Sequence, residues 1–466
     1  MLLSGIIAAV GGVTLSLYLS LSLAVCVVLA RPFLGLIALT ALLPIEYVLM
    51  AGESVTGMRA LGMLVAAAWF AGKVLRRESF APLLSQAFPW VALSFLALAL
   101  LSSLWADVPA RTYAGFVQLV RLFAFSVIIL DLVTSEHRIL WLLRALVLGA
   151  LVAGVLTLHQ YILGGVQRAG ADVMGVNRGA MILTISQPFA FFMVLREQRW
   201  TWRLCGASLI PIGIAAVSVT FSRMNYLLLP IVLIAMVLPA IRTRKGRRWL
   251  VILIGSIAAA AITLVPWEQV RRRTSTIGPY LSASIVTQAA GGETMSSRGY
   301  HLRVALAMFQ RHPVMGVGYN QYGYHFVRTY QYHVPGRDVE YGSWRSPHSS
   351  HLGIAADLGI LGILLWVALL LVPAWNLLRA RRVAINARDS RRSLLVFAAL
   401  LSFAVLALPY GLYGPTQQYK IFWFTIGLAI AMPRVFETQR SGEYEGAPLP
   451  SAGTCGMRTS ARTQQG

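Results

Sequence analysis

His348 stands in the stretch SPHSSHLGIAADLGILG, residues 346–362, where a polar turn runs without a break into an apolar segment. Ser346 suits an N-cap and Pro347 a first helical position, so the spacing predicts a helix that starts here with His348 in its first turn. The positive end of a helix disfavours an imidazolium. A neutral ring accepts a proton, and the same helix end attracts phosphate. Ser349 is adjacent and His351 follows one turn on. Gly359 lies close to three turns beyond His348, on the same face, which predicts the close approach of another helix. Asp357 falls within the same apolar run on the opposite face. An ionisable group so placed is a functional candidate or half of a structural pair with Arg or Lys.

Arginine is the second ingredient, because its planar fork of donors suits a diphosphate. Arg223 opens an apolar run in FSRMNYLL, Arg178 stands in GVNRGA, and Arg298 begins SRGYHLRVALAMFQR, with Arg303 and Arg311 on later turns. Snorkelling to lipid headgroups explains any one of these alone, and it is the simpler account of Arg303 and Arg311. Several arginines on one side of a membrane with a histidine carry more, so Arg178, Arg303, Ser349 and His351 join the binding candidates. For Arg121, inside the apolar run VQLVRLFAF, a packing role and a ligand role both stay open.

The elements that must hold these residues follow from composition. The 466-residue chain is 57% hydrophobic and 12% charged, about half the charge of a soluble domain. Runs near 20 apolar residues recur along it, each long enough to cross a bilayer. They predict an all-α polytopic membrane protein with spans near 4–30, 33–50, 57–75, 84–105, 112–133, 138–163, 177–195, 202–220, 224–241, 248–266, 352–378, 393–413 and 418–434. The first run carries Gly11-Gly12, so the expectation is 12 or 13 transmembrane helices. The net charge of +23 does not mark a nucleic-acid binder. Its basic residues cluster between apolar runs, at 73–77, 196–203, 242–248 and 379–392, as cytoplasmic loops do.

That orientation puts residues 267–350 outside the cytoplasm as one large periplasmic loop. It divides the chain into transmembrane helices over 1–266, the loop domain, transmembrane helices over 351–435 and a disordered cytoplasmic tail over 436–466. Within the loop, Leu302, Leu306 and Phe309 predict an amphipathic helix at the membrane surface, closed by Pro313, Gly316 and Gly318. The loop has few acids and no His/Cys cluster with ligand spacing, and no Gly-rich nucleotide loop occurs in the chain. The expectation is therefore no metal and no cofactor, with the energy carried by an activated lipid-linked donor.

These residues resemble a known family. PHSSHLGIAADLGILG is similar to the signature of the O-antigen ligase and polymerase superfamily, a His followed by Ser, Asn or Gln, then nine residues, then a Gly, which His348, Ser349 and Gly359 fill. SSRGYHLRVALAMFQRHPVMGVGYNQY and FSRMNYL resemble the family's Arg-bearing stretches, although Met224-Asn225 stands where many members have a small residue. The resemblance covers about residues 30–435. It implies a GT-C type glycosyltransferase of the bacterial inner membrane with its site facing the periplasm. Such a ligase moves O-polysaccharide from undecaprenyl diphosphate to a sugar hydroxyl of lipid A–core, inverts the anomeric centre and uses neither metal nor ATP. By position it gives the donor diphosphate to Arg223 and Arg298 and the acceptor hydroxyl to His348. Within the family, a polymerase or a protein O-oligosaccharyltransferase shares the histidine signature. Outside it, a polysaccharide or lipid transporter would place ionisable residues and broken helices near the midplane in both halves of the chain.

Overall fold

Long apolar runs leave the backbone no partner but itself in lipid, and helices satisfy it. The computed structural model describes residues 24–46, 57–165, 175–241, 297–330 and 346–445, with a few isolated positions between. All secondary structure among them is helical. Ala24–Ala30 (α1) and Pro32–Leu42 (α2) meet at Arg31. They are followed by Gly57–Leu75 (α3), Ala87–Leu101 (α4), Pro109–Leu132 (α5), Glu136–Ile162 (α6), Val176–Arg196 (α7), Trp200–Val219 (α8) and Arg223–Ile241 (α9). Ser297–Arg311 (α10), Ser350–Asn386 (α11), Ser390–Val405 (α12) and Lys420–Glu445 (α13) complete the set.

Among the described residues, nine helices have the length and apolarity to cross a membrane, or ten if the α1–α2 pair is one span. The pair bends by 118° at Pro32, a residue that cannot continue the donor ladder, so the runs expected at 4–30 and 33–50 meet at a sharp corner. The expected span at 248–266, the loop up to 296 and residues 446–466 lie outside the described residues. The last helix continues to Glu445, with Val435 and Phe436 fully packed, beyond the expected boundary at 436.

α7 is the pillar of the bundle. Its apolar window is 89% buried, against 22% for α3 at the rim, and α6, α8, α9 and α12 pack around it. α13 packs against α5 and α11. The bundle has two unlike ends. At one, Arg144 forks onto Glu197 at 2.8 and 3.1 Å, Arg391 and Arg392 grip Glu136, and Lys73 reaches Asp131 at 3.1 Å. Burial alone would raise the Glu197 carboxyl, but the Arg144 fork outweighs it and holds the group below the usual range. The basic clusters of α3, the α7–α8 turn and the α11–α12 turn therefore gather at this end. The other end carries the first residues of α5, α7, α9, α11 and α13, and there the candidate residues collect.

Candidate functional site

The helix after residue 346 begins later than expected. Ser349, not Ser346, is the N-cap: its Oγ accepts from Leu352 N at 3.3 Å and donates to the Gly411 carbonyl at 3.3 Å. His348 lies before the cap, not in the first turn, because its backbone is left-handed at φ 53° and cannot join a right-handed helix. Such a conformation in a non-glycine residue costs energy that the surroundings must supply. Two contacts do so. Ser350 Oγ donates to the Gly414 carbonyl and bonds Thr416 Oγ1 at 2.8 Å, so the turn is pinned to the 411–416 connection.

Gly359 does not receive another helix on an intact α11. It breaks α11, at φ 64° and ψ −154°, and what approaches is a loop. The carbonyl of Val314 lies 2.4 Å from where a Cβ would stand at Gly359, and Gly316 has the Asp357 backbone at the same distance. The break frees backbone groups, and the loop satisfies them: Val317 N and Gly318 N donate to the carbonyls of Ala356 and Asp357, and Ile360 N donates to that of Pro313. The Asp357 carboxylate accepts from the amides of Asn320 at 2.8 Å and Tyr322 at 2.9 Å. Among the described residues it has no Arg or Lys partner, and through these two amides it fastens the loop.

The loop sets α10. Its inner face is His301, Val304, Ala305 and Met308, packed on Tyr322, Phe326 and Ala356. Of the expected stripe, Leu306 is 44% exposed and Leu302 and Phe309 are half-buried, so it lies beside this packed face and not within it. His301 is the residue the sequence reading missed. Its ring lies 5.4 Å from that of His348, edge to face, and 4.4 Å from Phe326. Tyr322 Oη donates to the His301 carbonyl at 2.9 Å and lies 3.1 Å from Nδ1. With the phenolic proton on the carbonyl, Nδ1 is left to donate to the phenol oxygen. The signal was present: His301 is three residues after Arg298, one turn along the same helix face.

The arginines divide. α9 starts at Arg223, half-buried, and its entry is locked from both sides. Phe221 is left-handed at φ 52°, and Asn225 Oδ1 accepts from Thr184 at 3.0 Å and from Tyr410. The unusual Asn225 thus ties the Arg223 turn to α7 and to the residue preceding the Gly411 turn. Arg298 lies in the first turn of α10. Arg178 pairs with Glu46 and lies over the Tyr419 ring at 5.0 Å. Arg303 has a buried Nη2 with no hydrogen-bond partner among the described residues. His351 serves the fold: Nδ1 accepts from Trp366 Nε1 at 2.8 Å, and the ring also bonds the backbone of Ala407 and Leu408. Ser349 is likewise occupied as the cap. A small cavity of about 50 Å³ opens between Asn177, Arg178, Ser222, Asn225, Tyr410 and Thr416.

The turn bearing His348, the start of α9 and the first turns of α10 are thus held at one end of the bundle by the 410–416 connection and by His301. Residues 207–367 match the family model described as O-antigen ligase. This segment is an O-antigen ligase superfamily domain. It takes in Arg223, Arg298, His348 and the Gly359 break, while Arg178 and the 410–416 connection lie outside it. No curated protein matches the chain.

Proposed function

We propose that the chain is an O-antigen ligase, a glycosyltransferase that moves an O-polysaccharide from undecaprenyl diphosphate to a sugar hydroxyl of lipid A–core. In this reading it sits in a bacterial inner membrane with the His348 end facing the periplasm. Arg223 and Arg298 bind the donor diphosphate. As the bond from the anomeric carbon to the phosphate oxygen breaks, that oxygen takes the electron pair and the guanidinium groups offset the growing charge. The acceptor hydroxyl attacks the opposite face of the anomeric carbon, which inverts it. His348 takes the hydroxyl proton and later returns it to water. The donor's own bond supplies the energy, so nucleotide and metal have no step here.

One observation carries the reading: a histidine in a left-handed turn is fixed against the helix that Arg298 opens, and tied through Ser350, the 410–416 connection and Asn225 to the turn of Arg223. The test is to incubate the purified protein with a defined undecaprenyl-diphosphate glycan and, separately, lipid A–core, a growing polymer and a peptide. Glycan on lipid A–core alone is expected. Extension of the polymer or the peptide instead would keep the superfamily and overturn the ligase assignment, and loss of donor without any extended acceptor would overturn transfer itself.

A further inference from the structure

A cavity of about 280 Å³ lies at the end of the bundle opposite His348, where the first turns of α6 and α12 meet the turn between α7 and α8. Arg144, Arg199, Arg391 and His137 line it, against the carboxylates of Glu136 and Glu197. Both acids are already engaged: Glu197 by the Arg144 fork, and Glu136 by Arg391 at 3.2 Å and Arg392 at 3.0 Å. Arg199 is exposed and makes no ion pair among the described residues. Residues 242–250 and 446–466, which follow the two helices α9 and α13 that finish at this end, contain no Asp or Glu to offset it.

Arg144 does more than packing requires. Its side chain is only 6% exposed, lies over the rings of Trp141 at 5.1 Å and Trp202 at 5.6 Å, and spends Nε and Nη2 on Glu197. Nη1 makes no hydrogen bond among the described residues. A buried guanidinium with donors left over at a cavity wall calls for an acceptor. Further donors converge on the same space. Arg391 pairs through Nη1 and keeps a buried Nε with no partner among the described residues. Trp141 Nε1 donates to His137 Nε2 at 3.1 Å, which leaves Nδ1 of the neutral ring to donate. α8 has no side-chain cap at Arg199, so its first amides point toward the turn that lines the cavity, and its 20 residues add the positive end of their dipole. α6 and α12, by contrast, are capped by Ser135 and Asp389.

We propose that this cavity binds a phosphate group, with Arg144 Nη1, Arg199 and Arg391 on its oxygens and the first amides of α8 behind them. A phospholipid headgroup and a soluble phosphate ester share that chemistry. Trp200, 69% exposed, and Leu204, 53% exposed, stand one turn apart on α8 directly after Arg199. Exposed indole marks the level of headgroups, so a phospholipid with its chains along α8 is the expected source. The site is at the far end of the bundle from the turns of Arg223, Arg298 and His348 and does not rest on the transfer reading.

The test is native mass spectrometry of the detergent-purified full chain titrated with phosphatidylglycerol, diacylglycerol with the same tails, and glycerol 3-phosphate. Phosphatidylglycerol is expected to bind about tenfold more tightly than either of the others, which lack the phosphate or the chains. Arg199→Gln should weaken it about fivefold, and Arg199→Gln combined with Arg391→Gln about thirtyfold. Arg76→Gln, in an exposed arginine after α3 at the same end of the bundle, should leave it unchanged. Thermal unfolding of each variant checks that the fold is kept. An equal loss in Arg76→Gln would reduce the effect to the general positive field of this end, and unchanged binding to the folded double variant would place the phosphate elsewhere; either result overturns the site. Diacylglycerol binding as tightly as phosphatidylglycerol would remove the phosphate. Glycerol 3-phosphate binding as tightly would keep the phosphate site and overturn the lipid as its source.

Discussion

The imidazole of His348 owes its position to neighbours that do no chemistry themselves. Ser349 caps the helix that follows and leaves His348 outside it, and His301 packs its edge on the ring while Tyr322 fixes the tautomer of His301. Removing the imidazole should end transfer: His348→Ala is expected to lower kcat about a hundredfold or more while the protein still inserts. Surface polysaccharide restored to the wild-type level in a complementation assay would rule out a proton-accepting or orienting role. His301 calls for a finer experiment. His301→Phe keeps a ring against Phe326 but loses Nδ1, so kcat should fall about tenfold with KM for the acceptor unchanged, and Tyr322→Phe should move the same way. A fall in thermal midpoint with kcat intact would mean that His301 only packs. The motif around His348 was legible because its residue types are unusual beside an apolar run. The left-handed turn was not, because nothing in SPHSSH distinguishes Ser346 from Ser349 as the cap until Gly411 and Gly414 offer carbonyls to the second and third serines.

Among the elements, the broken α11 and the loop from Pro313 to Tyr322 form one unit. Each supplies the hydrogen bonds that the other lacks, and two glycines allow the backbones to touch. A methyl group at Gly359 would have to displace the Val314 carbonyl and hold a left-handed backbone. Gly359→Ala should therefore cost about 3 kcal/mol or more. Gly72→Ala, in α3 with nothing within 4 Å of the new Cβ, should be neutral or slightly stabilising. Thermal unfolding of both in detergent makes the comparison, and equal midpoints would show that the break is not held by this contact. The sequence announced the parts, namely Pro313, Gly316, Gly318 and the interval from His348 to Gly359. It did not announce their union, since helical periodicity runs straight through Gly359 and the carbonyl that displaces it comes from some 45 residues earlier. The packed face of α10 was equally hidden in the sequence: Val304, Ala305 and Met308 meet Tyr322, Phe326 and Ala356, all from later in the chain.

At the scale of the molecule, charge sorts the two ends. Arg144, Glu197, Glu136, Arg391 and Arg392 knit one end together, and at the other end Arg178 and Lys420 share Glu46. Hydropathy revealed most of the spans because each is a local property of about 20 residues, whereas the corner at Pro32 depends on how two such runs pack. If the basic end lies in the cytoplasm, the domain holding His348 works on the far side of the membrane, where a lipid-linked donor carries the only activated bond at hand. The orientation has a direct measurement. With the native cysteines replaced, Val314→Cys (57% exposed, beside the α11 break) should react with a membrane-impermeant maleimide in intact spheroplasts, and Arg388→Cys (in the α11–α12 turn) only after permeabilisation. The reverse pattern would turn the site toward the cytoplasm and leave the basic clusters outside. A lipid-linked donor would then hold no privileged position over soluble sugar nucleotides.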